Sequence, residues 1–295
     1  MAGSVGRSSS DAPSGKVELS KPAIDAFQAS AKIGLLATID SQGLPHVSLI
    51  TSIQARNPSQ LMFGQFSEGR SKTHVKSDPH VGFLVMNLAK RIWRGKARWA
   101  GEAKSGEDYE MYNRKPMFRY NSYFGIHTVH YLDLVELSGE ESLSQARVAA
   151  GSLVTALARR LASRTEDEAI LKPWAESFLR SLGTLKFLSH VGEDGYPAII
   201  PVVPCQAVGS TRLIFAPTVH RAELAAIPAN AAVAVFALNL RMESVLIRGR
   251  FSGYRRYAGL RAGAIEIDWV YNSMPPMQGP IYPAPPLPPA PGRRG

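Results

Sequence analysis

Residues 61–85 read LMFGQFSEGRSKTHVKSDPHVGFLV, and residues 213–237 read LIFAPTVHRAELAAIPANAAVAVFA. Each begins with a short apolar run of strand character, passes through a stretch suited to one short helix, and enters a second apolar run after a proline-containing turn. The two lie 152 residues apart. Extended outward at that spacing, 28–101 aligns with 180–253 without a gap, and twelve of the seventy-four pairs are identical. The matches fall where a chain turns as well as where it is apolar: Leu36 on Leu188, Gly43 on Gly195, Pro45 on Pro197, Leu61 on Leu213, Phe63 on Phe215, Val81 on Val233, Asn87 on Asn239, Arg98 on Arg250 and Gly101 on Gly253. Strand and turn positions that repeat together imply one supersecondary unit used twice.

The first copy predicts a helix over 23–30, a strand over 33–40 and a second strand from Pro45, with Ser41, Gln42 and Gly43 turning the hairpin. Glycine supplies the backbone freedom that such a turn demands. Further strands are expected over 60–66, 81–88 and 95–103, with a short helix at 71–77. The second copy predicts strands over 184–191, 198–203, 212–217, 232–239 and 245–252 and a helix at 223–227. Five or six short strands with one inserted helix argue for a small closed or nearly closed barrel, so the expected fold class is mainly β, two tandem barrels with peripheral helices. The segment between the copies is not repeated. It is aromatic-rich at first, then suited to helices over 144–162 and 165–182, the second broken near Pro173. The organisation that follows is a disordered polar tail at 1–20, a first barrel over 21–137, a helical linker over 138–174, a second barrel over 175–272 and a proline-rich tail over 273–295. Proline cannot continue a ladder or a helix interior, so that last tail reads as an extended arm or a polyproline II ligand.

With 45% hydrophobic residues in 295, the chain can bury one large core or two ordinary ones. It has no apolar run of membrane-spanning length and no apolar stretch near its start that resembles a signal peptide, so a cytoplasmic protein is expected. The single cysteine, Cys205, excludes an internal disulfide and a cysteine-cluster metal site. A formal charge of +10 admits nucleic acid, a membrane surface or a phosphorylated small molecule as partner. No motif supports the first, and the run Lys90, Arg91, Arg94, Lys96, Arg98 is expected on a solvated strand face, where charge discourages sheet-to-sheet aggregation.

The stretch over 61–85 resembles the signature of the pyridoxamine 5′-phosphate oxidase superfamily: a strand ending in an aromatic-containing turn, Ser/Arg-Lys at the start of a short helix, then Asp/Asn-Pro-x-Val opening the next strand. The preceding GLPHVSLI resembles that family's Gly-x-Pro turn and second strand, and the likeness covers roughly 23–137 and 175–272. It implies FMN-binding split barrels, with the FMN phosphate on Ser71 and Lys72 beside Arg70. The ring would lie against the backbone of Ser48, Leu49, Ile50 and Thr51 and of Phe63, Gly64 and Gln65. A helix start carrying a hydroxyl and two cations is on physical grounds an anion site, because its first amides lack helical partners. Ser48 stands where the vitamin B6 oxidases carry an arginine, which disfavours that substrate and leaves flavin reductases and flavin- or deazaflavin-binding proteins. In the second copy Glu223 and Leu224 replace Ser71 and Lys72, and a carboxylate repels a phosphate. The resemblance therefore implies an intramolecular pseudo-dimer that keeps one site, the second copy lending a wall; a homodimer beyond it is left open.

The function so implied is an FMN-dependent oxidoreductase acting on a small-molecule substrate. The alternative is a non-catalytic flavin-, deazaflavin- (F420) or haem-binding or sensing protein. No triad, paired carboxylates or dinucleotide glycine motif is present, and none is needed where a flavin ring does the chemistry; no catalytic residue is nominated. His127 and His130 are three apart, so on a strand they face opposite ways and do not suit one metal ion. His74 is placed either in the flavin pocket or at the surface. The aromatic run over 114–131, with Arg119 and Tyr120, is either a lid or a packed linker, and Trp93 and Trp99 share one strand face towards a core or interface.

Overall fold

The computed structural model describes residues 17–66, 69–114, 125–162, 169–273 and 278–283. Its first unit runs α1 (Lys21–Gln28), β1 (Lys32–Ile39), β2 (Pro45–Leu49), β3 (Gln54–Asn57), β4 (Gln60–Gln65), α2 (Arg70–Ser77), β5 (His80–Asn87), β6 (Arg91–Ala103), α3 (Glu107–Arg114), β7 (Thr128–Leu137) and β8 (Glu141–Ser142). The helices α4 (Gln145–Leu161) and α5 (Pro173–Arg180) lead to the second: β9 (Leu185–Val191), β10 (Pro197–Pro201), β11 (Gln206–Val208), β12 (Arg212–Phe215), α6 (Arg221–Ala225), β13 (Ala232–Leu238), β14 (Ser244–Tyr257), β15 (Leu260–Asn272) and β16 (Gly279–Tyr282). Both units are eight-stranded, open antiparallel sheets. The first has the order β2-β1-β5-β6-β7-β4-β3, with β8 added on β6; the second has β10-β9-β13-β14-β15-β12-β11, with β16 added on β15. No helix among the described residues is long and apolar enough to cross a membrane.

The duplication holds residue by residue. Leu36 faces Ser48 in the first hairpin and Leu188 faces Ile200 in the second; Val81 faces Ala97 and Val233 faces Gly249. Gly43 and Gly195 turn the two hairpins at φ of 75° and 79°, where a side chain would be strained. Beyond β6 the spacing changes. Leu61 faces Leu132 and its equivalent Leu213 faces Ile265, so the offset of 152 shrinks to 133. The first unit carries the extra residues between β6 and β7, including α3, whereas β14 passes into β15 by a tight turn. For this reason β7 and β15 escaped the gap-free comparison; the short β3 and β11 lie inside it, with Gln54 and Ala55 on Gln206 and Ala207, but were not expected as strands. Residues 1–16, 115–124, 163–168 and 284–295, on which the tails, the lid with Arg119 and Tyr120, and the start of the helix expected over 165–182 fall, lie outside the described residues.

Strand alternation divides β1 between two cores. Leu36 points into the first barrel with Phe63, Phe83 and Trp93, while Leu35 and Ala37 join a core shared between the units, with Val47, Leu84, Phe187, Ile199, Phe236 and Leu246. Trp99 packs on the same barrel core as Trp93, as period two requires. The shared core has pseudo-twofold form: β2 lies on β9 and β13, and β10 lies on β1 and β5. The close approach leaves no room for a side chain at Gly82, where a β-carbon would collide with the Pro197 carbonyl of the other unit. Half of the basic run on β6 is not a solvated face. The Arg94 side chain is only 12% exposed and reaches Glu223 across the interface, and Lys96 meets Asp194, because the pairing of the units turns that stretch inward.

Candidate functional site at the start of the second helix

The helix α2 begins after Gly69, an N-cap without a side-chain hydrogen bond, and buries Ser71, His74 and Val75. Its register places three neighbouring residues in three directions. Ser71 is 1% exposed, and its Oγ lies 2.5 Å from Ser48 Oγ on β2. Arg70 reaches the second unit, its guanidinium 5.2 Å from the Tyr271 ring and 5.7 Å from that of Trp269. Lys72 turns the opposite way, where its Nζ would lie 3.1 Å from a β-carbon at Gly69, and lines a cleft with Gln65 and Thr128. A part-buried hydroxyl pair thus sits at a helix start, with a cation on each side.

Behind Ser71 the two units meet in a polar and aromatic cluster. Thr38 Oγ1 is 3.0 Å from His74 Nδ1, and the His46 ring packs edge-on to His74 at 5.1 Å and to Tyr271 at 5.6 Å. Trp269 stacks on Tyr271 at 5.2 Å and carries Arg248 above its ring at 3.9 Å; Arg248 donates to Asp40 Oδ2 at 2.6 Å. Burial, then the positive charges of His74, Arg248 and Arg70, push His46 down to about 3, and burial lowers His74 as well. Both imidazoles are neutral at pH 7. Burial opposes the charge on Asp40, but the Leu44 amide and Arg248 bring its pKa below the usual value.

The remaining residues named from sequence distribute unevenly. Leu49 packs partly buried on the shared core, and Ile50 is buried with its amide donating to Gly34 O at 2.7 Å, followed by half-buried Thr51 in the turn. Phe63 points into the first barrel, stacked on His130 at 4.7 Å; Gly64 lies beneath Ile126; and Gln65 Oε1 is 2.8 Å from His130 Nε2. The structure brings Ser48 and Ser71 together, with Arg70 and Lys72 at their flanks, and turns the Phe63 side chain away. His130 is fully buried and pushed to about 4, chiefly by burial, while His127 lines the cleft beside α2, so the two do not converge. Sequence reading missed Trp269, Tyr271 and Arg248. They lie some two hundred residues from Ser48, and the first two lie beyond the gap-free repeat, so no local signal marks them.

The equivalent place in the second unit is built differently. Ile200 and Glu223 replace Ser48 and Ser71. Arg94 of the first unit grips Glu223 with both amino groups, at 2.5 and 2.6 Å, and Glu141 with Nε at 2.9 Å. Burial raises the Glu223 pKa, but Arg94 and His220 outweigh it and hold the carboxyl at about 2. A cleft of about 440 Å³ remains there, lined by Arg94, Lys96, Asp194, Tyr196 and Glu223.

Residues 20–136 match the family described as Pyridoxamine 5′-phosphate oxidase. Among solved structures, the chain is similar to a candidate pyridoxamine 5′-phosphate oxidase of Lactobacillus delbrueckii (18% identity, 41% of this chain and 94% of that one, TM-score 0.34). It is also similar to an FMN-binding protein of Syntrophomonas wolfei (15%, 41% and 83%, TM-score 0.34) and to an FAD-binding protein of Mesorhizobium loti (13%, 43% and 96%, TM-score 0.33). No curated protein matches the chain.

Proposed function

We propose that this chain, whose residues 20–136 match the family described as Pyridoxamine 5′-phosphate oxidase, binds one flavin, FMN in the simplest case, between its two units and acts as a flavin-dependent oxidoreductase. The observation that carries the reading is the Ser48–Ser71 hydroxyl pair at a helix start flanked by Arg70 and Lys72, set against the Arg94–Glu223 ion pair at the equivalent place. The donor set fits a phosphate: a hydroxyl, two cations and first-turn amides with no capping side chain.

In this reading Ser71, Arg70 and Lys72 hold the phosphate, and Ser48 orients the Ser71 hydroxyl. The backbone of Ser48, Leu49, Ile50 and Thr51 lies along the ring, with the strand end at Phe63, Gly64 and Gln65 below. Trp269 and Tyr271 of the second unit form the far wall. Neutral His46 and His74 add no charge beneath the site, and the shared apolar core, to which Val47 and Tyr271 belong, lies beside it. When bound, the flavin supplies hydride and electron transfer; the protein positions it and admits the substrate.

The test is the visible spectrum of purified protein, the released chromophore identified by mass, repeated on Lys72→Ala. Stoichiometric flavin that is lost in the variant supports the site. A Soret band, or no chromophore and no binding of added FMN or deazaflavin, overturns it. Turnover of NADH or NADPH with an acceptor then separates an enzyme from a carrier, which sequesters its flavin without cycling.

A further inference from the structure

A second cleft adjoins the start of α2 on the side away from Trp269. It has a volume of about 280 Å³ and is lined by Lys72, Lys76, Lys104 and His127, with Gln65 and Glu102. Lys72 and Lys76 lie one helical turn apart, so the cleft begins at the residue assigned to the phosphate and leads away along the helix. Three lysines face one carboxylate: Glu102 holds Lys76 at 2.9 Å and lies 3.7 Å from the buried His130, which is neutral. The basic strip accompanies the phosphate motif. In the second unit, where Ser71 and Lys72 become Glu223 and Leu224, the position of Lys76 is Pro228.

We propose that this cleft receives an anionic tail continuing beyond the cofactor's phosphate, so that the cofactor is a flavin-type ring whose phosphate is followed by at least one more negatively charged group. This rests on the flavin reading above and narrows it. The shared chemistry has two sources: the second phosphate of a dinucleotide flavin, and the carboxylates of a deazaflavin's glutamate tail. FMN fills the phosphate site and leaves the lysines beyond it unused.

The experiment is a fluorescence titration of the full chain with FMN, FAD, and deazaflavin bearing one or several glutamates. At low salt a tailed cofactor binds roughly tenfold more tightly than its short form, and the advantage shrinks as ionic strength rises. Lys76→Ala combined with Lys104→Ala removes that advantage, at roughly threefold for each lysine, and leaves FMN affinity unchanged. A gain with FAD identifies the pyrophosphate; a gain with each added glutamate identifies the oligocarboxylate. FMN binding as tight as FAD with no tail-length effect overturns the tail site and spares the flavin reading, as does an advantage that survives the double variant. If none of the cofactors binds the unaltered chain, both fall.

Discussion

Ser71 and Glu223 occupy one position of one repeated unit, and the difference between a hydroxyl and a carboxylate there separates the proposed anion site from an ion-pair clamp. Ser71→Glu therefore abolishes flavin binding, by roughly a hundredfold or more in affinity, since a negative charge then faces the phosphate in a partly desolvated place. Titration with FMN reads the loss, and an unchanged circular dichroism spectrum shows that the fold survives. A second residue sets acid sensitivity. His46 titrates near 3 in the folded chain against about 6.5 unfolded, so protons bind the unfolded chain first as pH falls. Its contribution to stability is whole above about pH 6.5 and is lost on the way down to about 3, at about 1.4 kcal/mol per pH unit. Denaturant unfolding at pH 7, 6, 5 and 4 gives a shallower decline for His46→Phe; an unaltered slope would contradict the assignment. His46 was visible in the sequence only as a strand residue, because what depresses it is burial between the two units, and after that the neighbouring His74, Arg248 and Arg70.

Among the elements, β6 shows how a strand that reads as surface becomes interface. Its alternating cations have the pattern of a solvated edge, yet Arg94 is bound by Glu223 and Glu141. Arg94→Leu, which installs the residue found at the equivalent Leu246, destabilises the chain by about 2 kcal/mol, because two part-buried carboxylates lose their common partner. Adding Glu223→Ser recovers part of that loss, and the coupling appears as non-additivity in a double-mutant cycle. The hairpins β1–β2 and β9–β10 were legible because Gly43 and Gly195 and the alternation around them are local signals. The strands β7 and β15 were not, since the insertion carrying α3 breaks the register of the repeat just where they begin. That insertion braces the site: Tyr112 donates to the carbonyls of Ser52 and Met62, at 2.7 and 3.1 Å, beside the turn that follows β2.

At the scale of the molecule, two equivalent units joined through one shared core offer two equivalent places, and in the proposed reading only the first keeps the residues for a cofactor. Mass analysis of protein saturated with flavin accordingly gives one cofactor per chain, and a second tight equivalent would contradict the asymmetry. The sequence by itself determined the duplicated barrel, the hairpins, the short helix and its cluster of Arg70, Ser71 and Lys72, since these depend on periodicity, turn chemistry and helix ends, all properties of neighbours along the chain. The tertiary structure alone decided that Ser48 meets Ser71, that Trp269 and Tyr271 close the far side, that Arg94 locks the second place and that a lysine-lined cleft runs on from the first. Those contacts join residues from different strands or different units, and their placement depends on how two cores pack, which no stretch of sequence encodes locally.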